Sequence, residues 1–112
     1  MKMCVFCKII NKEIPAKIVH EDDQFLAFSD IAPQAPVHIL IVPKEHAKFV
    51  EELKDQTTAG RAYQLAAKLA AANGVAESGF RVVVNHGPAA GQAVDHVHFH
   101  LLGGRDFAWP PG

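Results

Sequence analysis

The segment Asp95-His96-Val97-His98-Phe99-His100-Leu101-Leu102 constrains this chain more than any other. Histidine and apolar residues alternate through it, and a period of two marks a β-strand with one face on a core. A strand over residues 97–102 turns His96, His98 and His100 to one face and Val97, Phe99 and Leu101 to the other. Three neighbouring imidazoles bring no structural gain, because protonated rings repel and buried neutral rings each require a hydrogen-bond partner. The row therefore points to chemistry. Two kinds fit: three histidines with an open position make a catalytic metal site, and a neutral imidazole held at one nitrogen serves as a nucleophile at the other.

The stretch before the strand, Asn85-His86-Gly87-Pro88-Ala89-Ala90-Gly91-Gln92, favours the second kind. It is too rich in Gly and Pro for regular structure. Gly87 and Gly91 are expected to bare backbone N–H groups, which suits a phosphate, and Asn85 and Gln92 add neutral polar side chains. An anion cradle beside a row of histidines implies chemistry at phosphorus.

The rest of the chain supplies a scaffold. Residues 17–20 and 25–28 read as strands joined by the polar turn Glu21-Asp22-Asp23. Ile31-Ala32-Pro33-Gln34-Ala35-Pro36 is a proline-punctuated loop, and residues 37–42 form an apolar central strand interrupted only by His38. Residues 80–84 give one more strand. Residues 4–10 predict a short helix with Phe6, Ile9 and Ile10 on its apolar face, ended by Glu13-Ile14-Pro15-Ala16. Residues 57–73 predict the one long helix, with Ala62, Leu65, Ala66, Leu69 and Ala72 at helical spacing, Thr57 as N-cap and Asn73-Gly74 as the stop. Short-turned strands with one long helix give an α+β class and an antiparallel sheet of about five strands. With 112 residues, a single domain over 1–112 is expected.

Composition narrows the partners. Eleven Lys and Arg balance twelve Asp and Glu without a run of like charge, so attraction to nucleic acid or to an anionic membrane is not expected. No apolar run reaches a membrane-spanning or signal-peptide length, and the expected compartment is the cytoplasm. There the pair Cys4 and Cys7 reads as metal-binding or as buried thiols rather than as a disulfide. A redox role is disfavoured because no strand precedes the pair.

Gly91-Gln92-Ala93-Val94-Asp95-His96-Val97-His98-Phe99-His100-Leu101-Leu102 resembles the signature of the histidine triad (HIT) family, H-x-H-x-H followed by apolar residues. Further blocks extend the likeness in order: Lys8-Ile9-Ile10-Asn11-Lys12-Glu13-Ile14-Pro15-Ala16, Leu26 through Pro36, Val83-Val84-Asn85-His86-Gly87, Leu102-Gly103-Gly104-Arg105 and Trp109-Pro110-Pro111-Gly112. Together they resemble the Hint branch, the nucleoside phosphoramidases.

The resemblance implies a HIT-like fold and hydrolysis of a purine nucleoside monophosphate phosphoramidate, of AMP-amidate type, through a nucleotidyl-histidine. On that likeness His98 is the nucleophile at the α-phosphorus, while His100, Asn85 and Gln92 meet the phosphate oxygens in a site shared with Gly91, Ala93 and Val94. Asp30 matches the carboxylate that accepts from the ribose hydroxyls. Phe6, Ile9, Phe28 and Ile31 match the walls around the base. The likeness also implies a structural zinc on Cys4, Cys7, His46 and His96, and a homodimer in which Trp109 reaches the partner's substrate site.

Two residues depart from the family pattern. Ala93 stands where Hint proteins commonly carry a phosphate-binding serine, and Asp95 replaces an aromatic or apolar residue. The carboxylate of Asp95 either raises the basicity of His96 or faces solvent. Dinucleoside polyphosphates suit the same site, and a vestigial nucleotide-binding scaffold is the alternative from another class. Read without the likeness, the four apolar wall residues serve equally as core, Asp30 as a turn residue and His38 as a partner-satisfied strand histidine. His20 and His86 carry no role at this level.

Overall fold

The computed structural model describes residues 4–112. Five strands, β1 (Ile18–Glu21), β2 (Phe25–Ser29), β3 (Val37–Pro43), β4 (Phe80–Val83) and β5 (Phe99–Gly103), form one sheet in the order β1-β2-β3-β5-β4. Every neighbouring pair is antiparallel. Two α-helices accompany them, α1 (Val5–Ile10) and the longer α2 (Thr58–Ala72). This is the α+β arrangement expected from short-turned strands with one long helix.

Alternation along the central strands builds two cores. Phe25 and Ala27 of β2, Ile39 and Ile41 of β3, and Phe99 and Leu101 of β5 face α2, which meets them with Ala62, Ala66, Leu69 and Ala70. The fully buried alanines at 62, 66 and 70 recur every fourth residue, so the helix lies close on the sheet. The stripe runs through Ala70 rather than the expected Ala72, which is exposed in the last turn. On the opposite face Leu26, Phe28, Leu40 and Val42 pack against Phe6 and Ile9 of α1. Burying a side chain such as Phe6 contributes about 1.5–3 kcal/mol, so six residues suffice to fix α1 on the sheet.

Local chemistry adjusts several ends. Cys4 is the N-cap of α1, its Sγ accepting from the Cys7 N–H at 3.4 Å. The helix stops at Asn11, ahead of the expected breaker, because Lys12 takes φ 63°. Thr57 stands at the head of α2, but its hydroxyl donates to Asp55 Oδ1 at 2.7 Å and caps no helical N–H. Asn73 and Gly74 do end α2, with Gly74 at φ 76°. Strand β5 begins at Phe99, two residues later than the alternation predicts. Val97 bonds away from the sheet, donating its N–H to the Ala47 carbonyl at 2.7 Å. The segment after β3 therefore runs beside the first two histidines. At the far end of β5, a Cβ on Gly103 would stand 2.7 Å from Val75 Cγ2, so only glycine lets the α2–β4 connection close over the strand.

Candidate functional site

His98 and His100 share the face of the sheet that carries α1, since their strand neighbours Phe99 and Leu101 point to α2. The late start of β5 does not disturb the alternation. His98 is buried, with the Phe6 ring edge-on at 5.0 Å between centroids and the His100 ring at 4.9 Å. Its Nδ1 lies 2.7 Å from the His96 carbonyl, and a carbonyl only accepts, so Nδ1 carries the proton. Burial holds the imidazole below its usual range, against the opposing pull of that hydrogen bond and of Asp30. A neutral ring protonated at Nδ1 has its lone pair on Nε2. His98 thus has the tautomer a nucleophile needs.

The state of His100 follows from a chain that starts on the backbone. The Gln34 N–H donates to His38 Nδ1 at 3.0 Å, so neutral His38 bears its proton on Nε2. That Nε2–H donates to His100 Nδ1 at 3.0 Å, with Asp30 Oδ2 also within 3.5 Å. His100 is left with an N–H at Nε2, which is buried and has no partner among the described residues. Desolvation, then the neighbouring His98 and His38, push the His100 imidazole down to about 4, and Asp30 opposes them. Burial likewise lowers His38. A buried, neutral donor without an acceptor is costly in a folded protein, and a ligand oxygen would satisfy it.

His38 is the candidate-site residue that the sequence pattern assigned to structure alone. It is a satisfied strand histidine, as expected, but the group it satisfies is a triad histidine. Its signal was being the one polar residue in the apolar run 37–42.

The Gly-rich loop differs from expectation. Gly91 donates its N–H to the Pro88 carbonyl and Gly87 donates to the Gln92 side chain, so neither N–H is bared. Gln92 is a clamp inside the loop, its Nε2 donating to the carbonyls of Lys48 and Val94. The glycines serve conformation instead, with φ 86° at Gly87 and 85° at Gly91. The exposed Ala93 and half-buried Val94 follow, and half-buried Asn85 precedes the loop.

Phe6, Ile9 and Phe28 are buried in the α1 core, so they back the site from beneath rather than standing as open walls. Ile31 is 100% exposed beside the half-buried Asp30, which also accepts from the Ala32 N–H. Asp95 faces solvent with Lys48 Nζ 3.9 Å away and adds nothing to the basicity of His96. Trp109 is 82% exposed, under the Arg81 guanidinium at 6.0 Å, while Arg81 Nη2 donates to the Ala108 carbonyl at 2.6 Å.

His96, the first triad member, joins a separate cluster. Its Nε2 donates to the Pro43 carbonyl at 2.8 Å, and burial holds the ring below its usual range, leaving Nδ1 as a lone pair. That atom lies 3.4 Å from Cys4 Sγ, 3.6 Å from Cys7 Sγ and 3.1 Å from His46 Nδ1, and Cys7 Sγ to His46 Nδ1 is 3.2 Å. A tetrahedral zinc at ordinary Zn–S and Zn–N lengths sets its ligand atoms about 3.3–3.8 Å apart. The donor set and its spacings fit that ion, and the bond to Pro43 is the kind of outer contact that fixes a ligating imidazole. All four donor atoms lie within 4.8 Å of one another, so this is a zinc-type site.

A model of the HIT domain matches residues 11–107. The chain belongs to the HIT family. Two curated relatives are each 48% identical to it over 112 residues. One is the 14 kDa zinc-binding protein of Brassica juncea, matched over 96% of this chain and 98% of that one. The other is the Adenylylsulfatase HINT1 of Arabidopsis thaliana, over 96% and 76%. Among solved structures, a HIT family hydrolase from Legionella pneumophila superposes with a TM-score of 0.92 at 49% identity, covering 97% of this chain and 99% of that one. The HIT fold of this chain is thus shared along its length. No helix among its described residues is long and apolar enough to cross a membrane.

Proposed function

We propose that this HIT domain is a nucleotide hydrolase, and that it cleaves a purine nucleoside 5′-phosphoramidate through a nucleotidyl-histidine on His98. One observation carries the reading: the 2.7 Å bond from His98 Nδ1 to the His96 carbonyl, which leaves a buried, neutral ring with its lone pair on Nε2. Attack by Nε2 forms an N–P bond as the P–N bond breaks, and the amine departs after taking up a proton from solvent, the one that the water step later returns. His98 then carries a positive ring, whose remaining Nδ1–H is already held by the carbonyl. Water attacks phosphorus, restores neutral His98, returns one proton and releases the nucleoside monophosphate. His100 Nε2–H, lacking an acceptor among the described residues, suits a phosphoryl oxygen.

The family and its hydrolase-named relatives support the coarse activity. Asp30 at the rim suits a ribose and exposed Ile31 a base. The name of the Arabidopsis relative makes adenylyl sulfate a second substrate of interest, since sulfate would leave from the same α-phosphorus. Zinc on Cys4, Cys7, His46 and His96 is structural in this proposal: all four positions are protein donors, and the ion would tie α1 to the approach to β5. Steady turnover of an AMP amidate, lost by roughly 10⁴-fold in His98→Ala, tests the reading. Unchanged turnover in that variant would refute it.

A further inference from the structure

His86 lies outside both clusters, at the start of the loop that precedes the triad. Its ring stacks on Phe49 with centroids 4.0 Å apart and planes 9° from parallel. Its Nε2 lies 3.0 Å and 3.1 Å from the two carboxylate oxygens of Glu51, so it donates to that group. Phe49 and Glu51 belong to the segment that leaves His46, and the same segment holds the loop elsewhere. The Lys48 carbonyl accepts from Gln92, the Lys48 ammonium stands 3.9 Å from Asp95, and the Ala47 carbonyl accepts from Val97. The loop from Asn85 to the histidine row is therefore laced to residues 47–51 at both ends.

We infer that His86 is a positioning residue, fastening the Asn85 end of this loop to Phe49 and Glu51 so that the loop keeps its shape beside His98 and His100. The loop leaves β4 just after Val83, which pairs with His100, and ends at Val94, which packs with the Phe6 cluster; the inference rests on the proposed function for the roles of His98 and His100 there. Stacking operates whatever the charge of the ring. The bond to Glu51 is strongest when His86 is protonated, and Glu51, followed by Glu52, raises the imidazole above its usual range. The acidic groups facing it are those two, and Lys48 nearby is turned over the Phe49 ring and towards Asp95. A histidine whose folded state favours the proton contributes its contact below the ordinary value near 6.5. The contact weakens as pH rises through the raised one. The fastening is thus tighter at mildly acidic pH.

Three variants separate the parts: His86→Ala removes both contacts, His86→Phe keeps the stack, and Glu51→Gln keeps the stack and removes the charge. Each is compared with wild type for kcat/KM on an AMP amidate across pH, for AMP affinity by calorimetry, and for the His86 titration midpoint by NMR. In His86→Ala both kcat/KM and AMP affinity are expected to fall roughly tenfold. The ratio of wild type to His86→Phe is expected to decline with pH through the NMR midpoint of His86, a dependence that substrate ionisation cancels from. Glu51→Gln should lower that midpoint. Equal AMP affinity in all variants, or a ratio flat with pH, overturns the inference. Should wild type turn over no amidate, the proposed function fails, and the AMP affinities across the same variants still decide whether His86 positions the loop.

Discussion

His98 donates its Nδ1 proton to the carbonyl of His96 across 2.7 Å, so the residue whose side chain enters the zinc-type cluster also sets, through its backbone, the tautomer of the proposed nucleophile. The metal cluster and the proposed nucleophile thus meet at one residue, His96. Whatever holds His96 in place holds the acceptor for His98 in place.

Metal removal should accordingly act on stability before chemistry. Protein purified without chelator is expected to contain one zinc per chain. Cys7→Ser should lower the melting temperature by on the order of 10 °C, because a structural ion's binding free energy is folding free energy. Metal analysis with thermal unfolding checks both. A metal-free chain as stable as the zinc-loaded one would make the cysteines packing residues.

A second expectation concerns acid. The His100 imidazole is pushed down to about 4 by burial and by its histidine neighbours. In the unfolded chain an imidazole titrates near 6.5. Between those values the unfolded state binds more protons at this residue than the folded one, so the contribution of neutral His100 to stability is complete above about 6.5 and is lost progressively as pH falls towards 4. His100→Gln should flatten that part of the stability curve, measured as denaturant midpoints against pH. Parallel curves for the two proteins would contradict the burial argument.

The Trp109 tail gives a third. Arg81 pins the Ala108 carbonyl to β4, yet the indole is 82% exposed, so the tail is held to its own chain while its aromatic ring faces outward. A second copy of the chain suits that ring, as the family resemblance implies, and a large exposed aromatic is the type of anchor such contacts use. Deleting the residues after Arg105 is expected to weaken a homodimer or to alter discrimination among leaving groups. Sedimentation and a panel of AMP amidates read both effects. A monomeric full-length protein would remove the proposal, and so would a truncated dimer with unchanged selectivity.

Periodicity made the sheet and the long helix legible, since alternating residues on β2, β3 and β5 have to serve two cores. It also oriented the histidines correctly, although Val97 leaves the ladder to bond Ala47 and β5 starts late. Side chains that bond far along the chain were not legible. Gln92 reaches the Lys48 carbonyl 44 positions away, and the link from His38 to His100 spans 62. Spacing says nothing about such partners. Glycine composition likewise identified a loop needing positive φ at Gly87 and Gly91, but could not tell an N–H facing a ligand from one closed onto Pro88. The stack of His86 on Phe49 joins residues 37 apart in number and had no local signal.

The most direct test of the account is where the nucleotide goes. A slowly hydrolysed AMP amidate should be quenched during turnover, digested, and mapped by mass spectrometry at a pH that preserves N–P bonds. A nucleotidyl adduct on His98 is expected to appear and decay with turnover and to be absent in His98→Ala. Label on His100, or turnover with no labelled histidine, would contradict it.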